Sequence, residues 1–187
     1  MAAPRQHEFS GFTVRGIADA LVALKLKEAV WPRLGPAARE AMDHPTRFKF
    51  HLGAAIDEVV IAVVDVHGPD AAAAMMEHAT RASIEGVVAP LARMYLTLKG
   101  NDPHVLFERF NDLSRATSRG IESRWTREGP TRGRLELRYV SAPDQRVGHP
   151  WRGALRFVLE FCGKSGEPVL EPVGDDPRVV ALTIEWK

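Results

Sequence analysis

The chain has 187 residues, 45% of them hydrophobic, which is enough to bury one core and short for two, so a single domain spanning 1–187 is expected. Lysine and arginine number 25 against 24 acidic residues, leaving no net field to hold nucleic acid or an anionic membrane at range. A single cysteine excludes an internal disulfide framework and a cysteine-rich zinc site. It also fits a reducing compartment, and with no run near the ~18 apolar residues of a membrane span, a cytoplasmic setting is expected.

Apolar residues in the first half recur at helical spacing. Ile17, Leu21 and Leu24 form one stripe, and Leu52, Ile56, Val59, Val60, Val63 and Val64 form a stronger one. The second set is rich in β-branched residues, so strand competes. Spacings of four, seven, eight and eleven from Leu52 fall on one helical face, whereas alternation does not hold, and helix is the better fit. In His67-Gly68-Pro69-Asp70, Gly68 reads as a C-terminal cap and Asp70 as the side-chain cap of the next helix. That helix carries Met75, Ala79, Ala82, Ile84, Val87, Val88, Leu91, Tyr95 and Leu98 before Gly100, and Pro90 should kink it as a packing device. Asn101-Asp102-Pro103 starts a fresh helix with Leu106, Phe107, Phe110 and Leu113 on its buried face and Gly120 at its end.

After Gly120 the period becomes two. Ile121, Ser123 and Trp125, then Leu135, Leu137 and Tyr139, alternate with polar residues on either side of a loop at 129–133, which predicts a hairpin with one wet face. A polar connection over 141–150 leads to a helix with Trp151, Ala154, Leu155, Val158, Leu159 and Cys162 inward, Cys162 being a small core residue rather than a reactive thiol. Strands are expected at 168–173 and 179–186 around the turn Gly174-Asp175-Asp176-Pro177, the last with Val180, Leu182, Ile184 and Trp186 inward and Val179, Ala181, Thr183 and Glu185 outward. The expected fold class is α+β: residues 1–120 mainly helical, packed on a C-terminal antiparallel sheet of about four strands whose closing unit, 121–187, runs strand, strand, helix, strand, strand.

The run Leu137-Arg138-Tyr139-Val140-Ser141, the polar loop, the helix opening Arg152-Gly153-Ala154 and the two final strands resemble the closing unit of the haem nitric-oxide/oxygen-binding domains. The four-vinyl reductase ligand-binding domains and the TRAPP vesicle-tethering subunits are relatives of that group. The whole chain is similar to a family of stand-alone myxobacterial proteins of like length, which share the helical first half, the Arg-Gly opening and a last strand ending as Thr183-Ile184-Glu185-Trp186 does. The resemblance implies a ligand-binding domain. Haem-binding members clamp the propionates with Tyr-x-Ser-x-Arg, a motif suited to carboxylates through its planar guanidinium fork. Tyr139 and Ser141 match that motif, Pro143 stands in place of the arginine, and Arg146 is near enough to substitute. An axial histidine is implied on the helix before the hairpin. His104 lies on that helix but several residues early, and Phe110, Asn111 and Asp112 occupy the implied neighbourhood. Both departures argue against haem, and the last strands lack the cysteine ligands found in vinyl-reductase relatives.

The remaining chemistry is sparse. The seven histidines show no paired helical spacing for a metal, and no phosphate loop or nucleophile elbow occurs. Asp57-Glu58 and Asp175-Asp176 read as a solvated helix face and a turn. The arginines between Arg109 and Arg138, with Trp125 among them, read as a solvated sheet face rather than a nucleic-acid surface. No enzyme is expected. The leading expectation is a regulatory or signalling domain that binds a small apolar ligand between helices and sheet, with Tyr139, Ser141, Arg146 and His104 as candidate ligand-binding residues and no cofactor or metal. The alternatives are an interaction unit with a filled core, meeting a second copy or another protein through the apolar helices around 52–64 and 79–98, and a haem-based gas sensor.

Overall fold

The computed structural model describes residues 6–46, 49–87, 96 and 100–187. Its α+β architecture agrees with the expectation. Among the described residues there are two antiparallel sheets, a small one of order β2-β1-β3 (β1, Glu8–Ser10; β2, Phe50–Leu52; β3, Ser118–Arg119) and a larger one of order β4-β5-β7-β6 (β4, Ile121–Gly129; β5, Arg132–Tyr139; β6, Val169–Leu170; β7, Val179–Glu185). The helices are α1 (Gly11–Ala23), α2 (Lys27–Val30), α3 (Pro36–Asp43), α4 (Gly53–His67), α5 (Pro69–Val87), α6 (Pro103–Glu108), α7 (Phe110–Ser114) and α8 (His149–Phe161).

The large sheet follows from the alternation. Leu135 pairs with Leu182 and Leu137 with Val180, placing these apolar side chains on one face, where they are all but fully buried. Trp186 is buried as expected, but so is Ala181, expected outward, so the outer face of β7 is partly covered. On that face Arg134, Glu136, Glu171 and Thr183 bond to one another, with Arg134 Nε 2.9 Å from Glu171. The small sheet has three residues or fewer per strand, too few to register as alternation. It corrects the expectation that Leu52 opens the inner stripe of α4. Leu52 lies in β2 opposite Glu8 and is 57% exposed. Leu24 likewise lies just past the end of α1 and is exposed, while Ile17 and Leu21 are buried.

Ile56, Val59, Val60 and Val63 make α4 a buried helix, and Gly68, at φ 84°, ends it. Asp70 does not cap α5. Its carboxylate accepts from Arg152 Nη1 at 2.9 Å. The expected kink at Pro90 and the apolar positions from Val88 to Tyr95 lie outside the described residues, as does Leu98. The helix expected from Pro103 to Gly120 is instead two short ones, α6 and α7, pinned separately to the β4–β5 hairpin: His104 bonds to its turn and Asn111 accepts from the Ser123 N–H. Asp102 caps α6 as its spacing suggested, accepting from His104 N. Cys162 is buried against Leu96 and Leu106, and burial pushes its thiol up to about 11.

The two halves meet where α5 packs along α8. A Cβ built on Gly153 would lie 1.7 Å from the Ala73 carbonyl oxygen, so the helices approach to backbone contact. Pairs Arg152–Asp70, Arg156–Glu77 and Arg81–Glu160 ascend together in sequence, so the helices run parallel, with the Arg81–Glu160 pair bidentate. On another side of α5, Gly16 of α1 packs on Ala79, where a Cβ would lie 2.8 Å from the carbonyl oxygen. A side chain at 153 must force α8 off α5. We expect Gly153→Ala to lower the unfolding free energy by about 3 kcal/mol. Gly174→Ala, at an open position, should stay within about 0.5 kcal/mol of the parent by urea denaturation.

Candidate functional site: an apolar cavity between helices and sheet

Where α4, α5, α7 and α8 converge on the first sheet strand and the end of β5, they line a cavity of about 170 Å³. Ile56, Asp57 and Val60 line it from α4, and Met76, Ala79, Thr80 and Ser83 from α5. Phe9, Phe110 and Tyr139 contribute rings from β1, α7 and β5, and Trp151, Ala154 and Phe157 close it from α8. The backbone contact at Gly153 sets this wall, because Trp151 and Ala154 flank it on α8.

Four of the lining hydroxyls are turned toward backbone carbonyls of their own segment. Ser83 donates to the Ala79 carbonyl at 2.8 Å, Thr117 to that of Ser114 at 3.0 Å, and Ser114 and Ser118 to the carbonyls of Asn111 and Ser114 at 3.2 Å each. The wall is therefore more apolar than its composition suggests.

A polar pole sits at one end. Tyr139 is 2% exposed, and its phenolic oxygen accepts the Trp151 indole N–H at 2.8 Å. Burial raises its pKa well above the usual tyrosine range, against the bond from Trp151 and with the help of the Asp57 charge, so it stays a neutral phenol. His7 lies edge-on to Tyr139, ring centroids 5.2 Å apart, and donates from Nε2 to the Asp57 carboxylate at 3.1 Å. Its seat requires Gly53, where a Cβ would come within 2.2 Å of the imidazole.

Asp57 and Glu58 were expected on a solvated face, and neither is there. Asp57 lines the cavity, and Glu58 takes the backbone N–H of Gly35. The signal for Asp57 was present, since at 100° per residue it falls beside Val64 on the edge of the buried stripe. His7, some 50 residues away in sequence, carried no such signal.

The structure does not bring the four candidate residues together. Tyr139 lines the cavity. Ser141 is exposed on the connection after β5. Arg146 reaches outward to Asp65 at 2.7 Å and to Asp144, which it holds down to about 2. His104 is 1% exposed, its Nε2 3.0 Å from the Gly129 carbonyl and its Nδ1 accepting the Trp125 indole N–H at 3.2 Å. Trp125 itself stacks on Phe107, centroids 4.5 Å apart, so the aromatic among the arginines belongs to this cluster.

No family profile and no curated protein matches the sequence. Solved structures do match. An H-NOX protein variant from K. algicida, in the unliganded Fe(II) state, superposes with TM-score 0.68 at 14% identity over 95% of this chain and 96% of its own. An H-NOX protein from S. oneidensis in the Fe(II)NO ligation state gives 0.63 at 12% identity over 95% and 99%. An oxygen-binding H-NOX domain related to soluble guanylate cyclases, as its oxygen complex, gives 0.62 at 9% identity over 95% and 94%. The chain has the fold of the H-NOX domains along nearly its whole length.

The lining does not suit the haem those domains carry. All seven histidines lie among the described residues and none lines the cavity, and neither does Cys162. Of Phe110, Asn111 and Asp112, the neighbourhood in which the family resemblance implies the axial ligand, Phe110 lines the cavity. The described lining holds no arginine or lysine for two propionates, and Asp57 would repel them. His104, with both ring nitrogens committed, should show at neutral pH a protonated Nε2 and a bare Nδ1 in ¹⁵N-resolved NMR spectra. The reverse tautomer would contradict the bonds to Trp125 and the hairpin turn.

Proposed function

We propose that the chain is a non-enzymatic, cytoplasmic ligand-binding domain of a signalling or regulatory system, and that its ligand is a small apolar molecule held between the helices and the sheet. One observation carries this reading: a largely apolar cavity of about 170 Å³ in which four of the lining hydroxyls, those of Ser83, Ser114, Thr117 and Ser118, are bonded to backbone carbonyls. Dry apolar cavities of about 150 Å³ take up benzene or xenon, so the space suits a single ring or a short hydrocarbon. The H-NOX fold supports it, since one neighbour of that fold is an oxygen complex and another is in the Fe(II)NO ligation state.

The interaction-unit reading has less support. Its apolar stripe at 52–64 is turned into the chain's own core, Leu52 excepted, its stripe at 79–98 lies largely outside the described residues, and the cavity does not match a filled interior. The haem-sensor reading rests on fold alone, with no axial imidazole in the lining.

Benzene at about a hundredfold over its dissociation constant should raise the unfolding free energy by about 2.7 kcal/mol, seen as a rise of several degrees in Tm. No shift at saturation would contradict the reading. Ferric haem added to the protein should keep the spectrum of free haem. A sharp Soret band saturating at one haem per chain would restore the haem-sensor reading.

A further inference from the structure

Two groups at the polar pole are left with unused hydrogen-bonding capacity of opposite kind. Tyr139 accepts from Trp151, but its own hydroxyl hydrogen meets no acceptor among the described residues. A buried donor left unpaired costs about 1–3 kcal/mol. Asp57 offers roughly four lone-pair sites and has one partner among the described residues, the His7 N–H, lying 3.1–3.2 Å from both carboxylate oxygens. Both groups line the cavity, and each meets the same imidazole, that of His7.

We infer, building on the cavity's role as a ligand site, that the ligand is a small alcohol or phenol whose O–H donates to Asp57 and whose oxygen accepts from Tyr139, with its hydrocarbon body against the apolar wall. The pairing of one free acceptor with one free donor selects this class. An ammonium can only donate, a carbonyl can only accept, and a carboxylate is repelled by Asp57. Water satisfies both groups but leaves the apolar wall unfilled. A hydroxyl on a six-membered ring satisfies both and fits about 170 Å³. Thr80 is the other lining hydroxyl without a partner among the described residues, and it makes the alternative anchor.

The test is calorimetric titration of the full chain with phenol and with benzene, rings that differ by one hydroxyl. Phenol should bind at least about tenfold more tightly, the equivalent of one net buried hydrogen bond. Tyr139→Phe and the near-isosteric Asp57→Leu should each reduce that ratio severalfold, with benzene titrated into each variant as its own reference. The wild-type comparison and Tyr139→Phe carry the test if Asp57→Leu does not fold. Equal binding of the two rings would overturn the hydroxyl assignment while leaving the cavity reading intact. Binding of neither would overturn both. A phenol preference unchanged in Tyr139→Phe would move the anchor elsewhere and overturn this one.

Discussion

The backbone contact between Gly153 and Ala73 is the constraint on which the rest of the structure depends. It lets α8 lie along α5 at a distance no side chain permits, and so brings the sheet's own helix into the helical half. The flanking ion pairs are half-exposed and individually worth well under about 1 kcal/mol. Their role is register: Arg152 to Asp70, Arg156 to Glu77 and Glu160 to Arg81 admit one alignment of two parallel helices. With that alignment set, Trp151 falls over Tyr139 and Phe157 over the lower wall, and the space left between them is the cavity.

The fold of the H-NOX domains is thus kept while the described lining of the cavity does not offer what haem requires. A porphyrin needs an axial donor, cations for its propionates and room for a macrocycle. Here the neighbourhood implied for the axial donor holds Phe110, edge-on to Trp151 at 6.1 Å, with Asn111 and Asp112, and the charged group of the described lining is an acid. A scaffold that leaves space between two halves can be relined with few substitutions, because the space comes from backbone packing and its chemistry from the side chains that project into it.

Much of the scaffold was legible in sequence. Alternation around Leu135, Leu137 and Tyr139 and in the last strand specified the large sheet, and Gly68, Asp102 and Pro103 marked helix ends through their own backbone chemistry. The small sheet was not legible, since strands of two or three residues leave no period to count. The split between α6 and α7 was not either, because His104 and Asn111 are fixed by partners about 12 to 26 residues onward in the hairpin. The site was legible only in part. Tyr139 came from a motif, but its neighbours Asp57, His7 and Trp151 are assembled by tertiary packing, and Arg146, which the motif favoured, is held outside by Asp65 and Asp144.

The central claim is that the space lined by α4, α5, α8 and the end of β5 is dry enough and open enough to take an apolar guest. Crystals of the protein pressurised with xenon measure that directly. A discrete xenon peak against Ile56, Met76 and Phe157, with neighbouring side chains unmoved, is the predicted result. Absence of xenon there, with Phe110 or Phe157 rotated inward to fill the space, would contradict it.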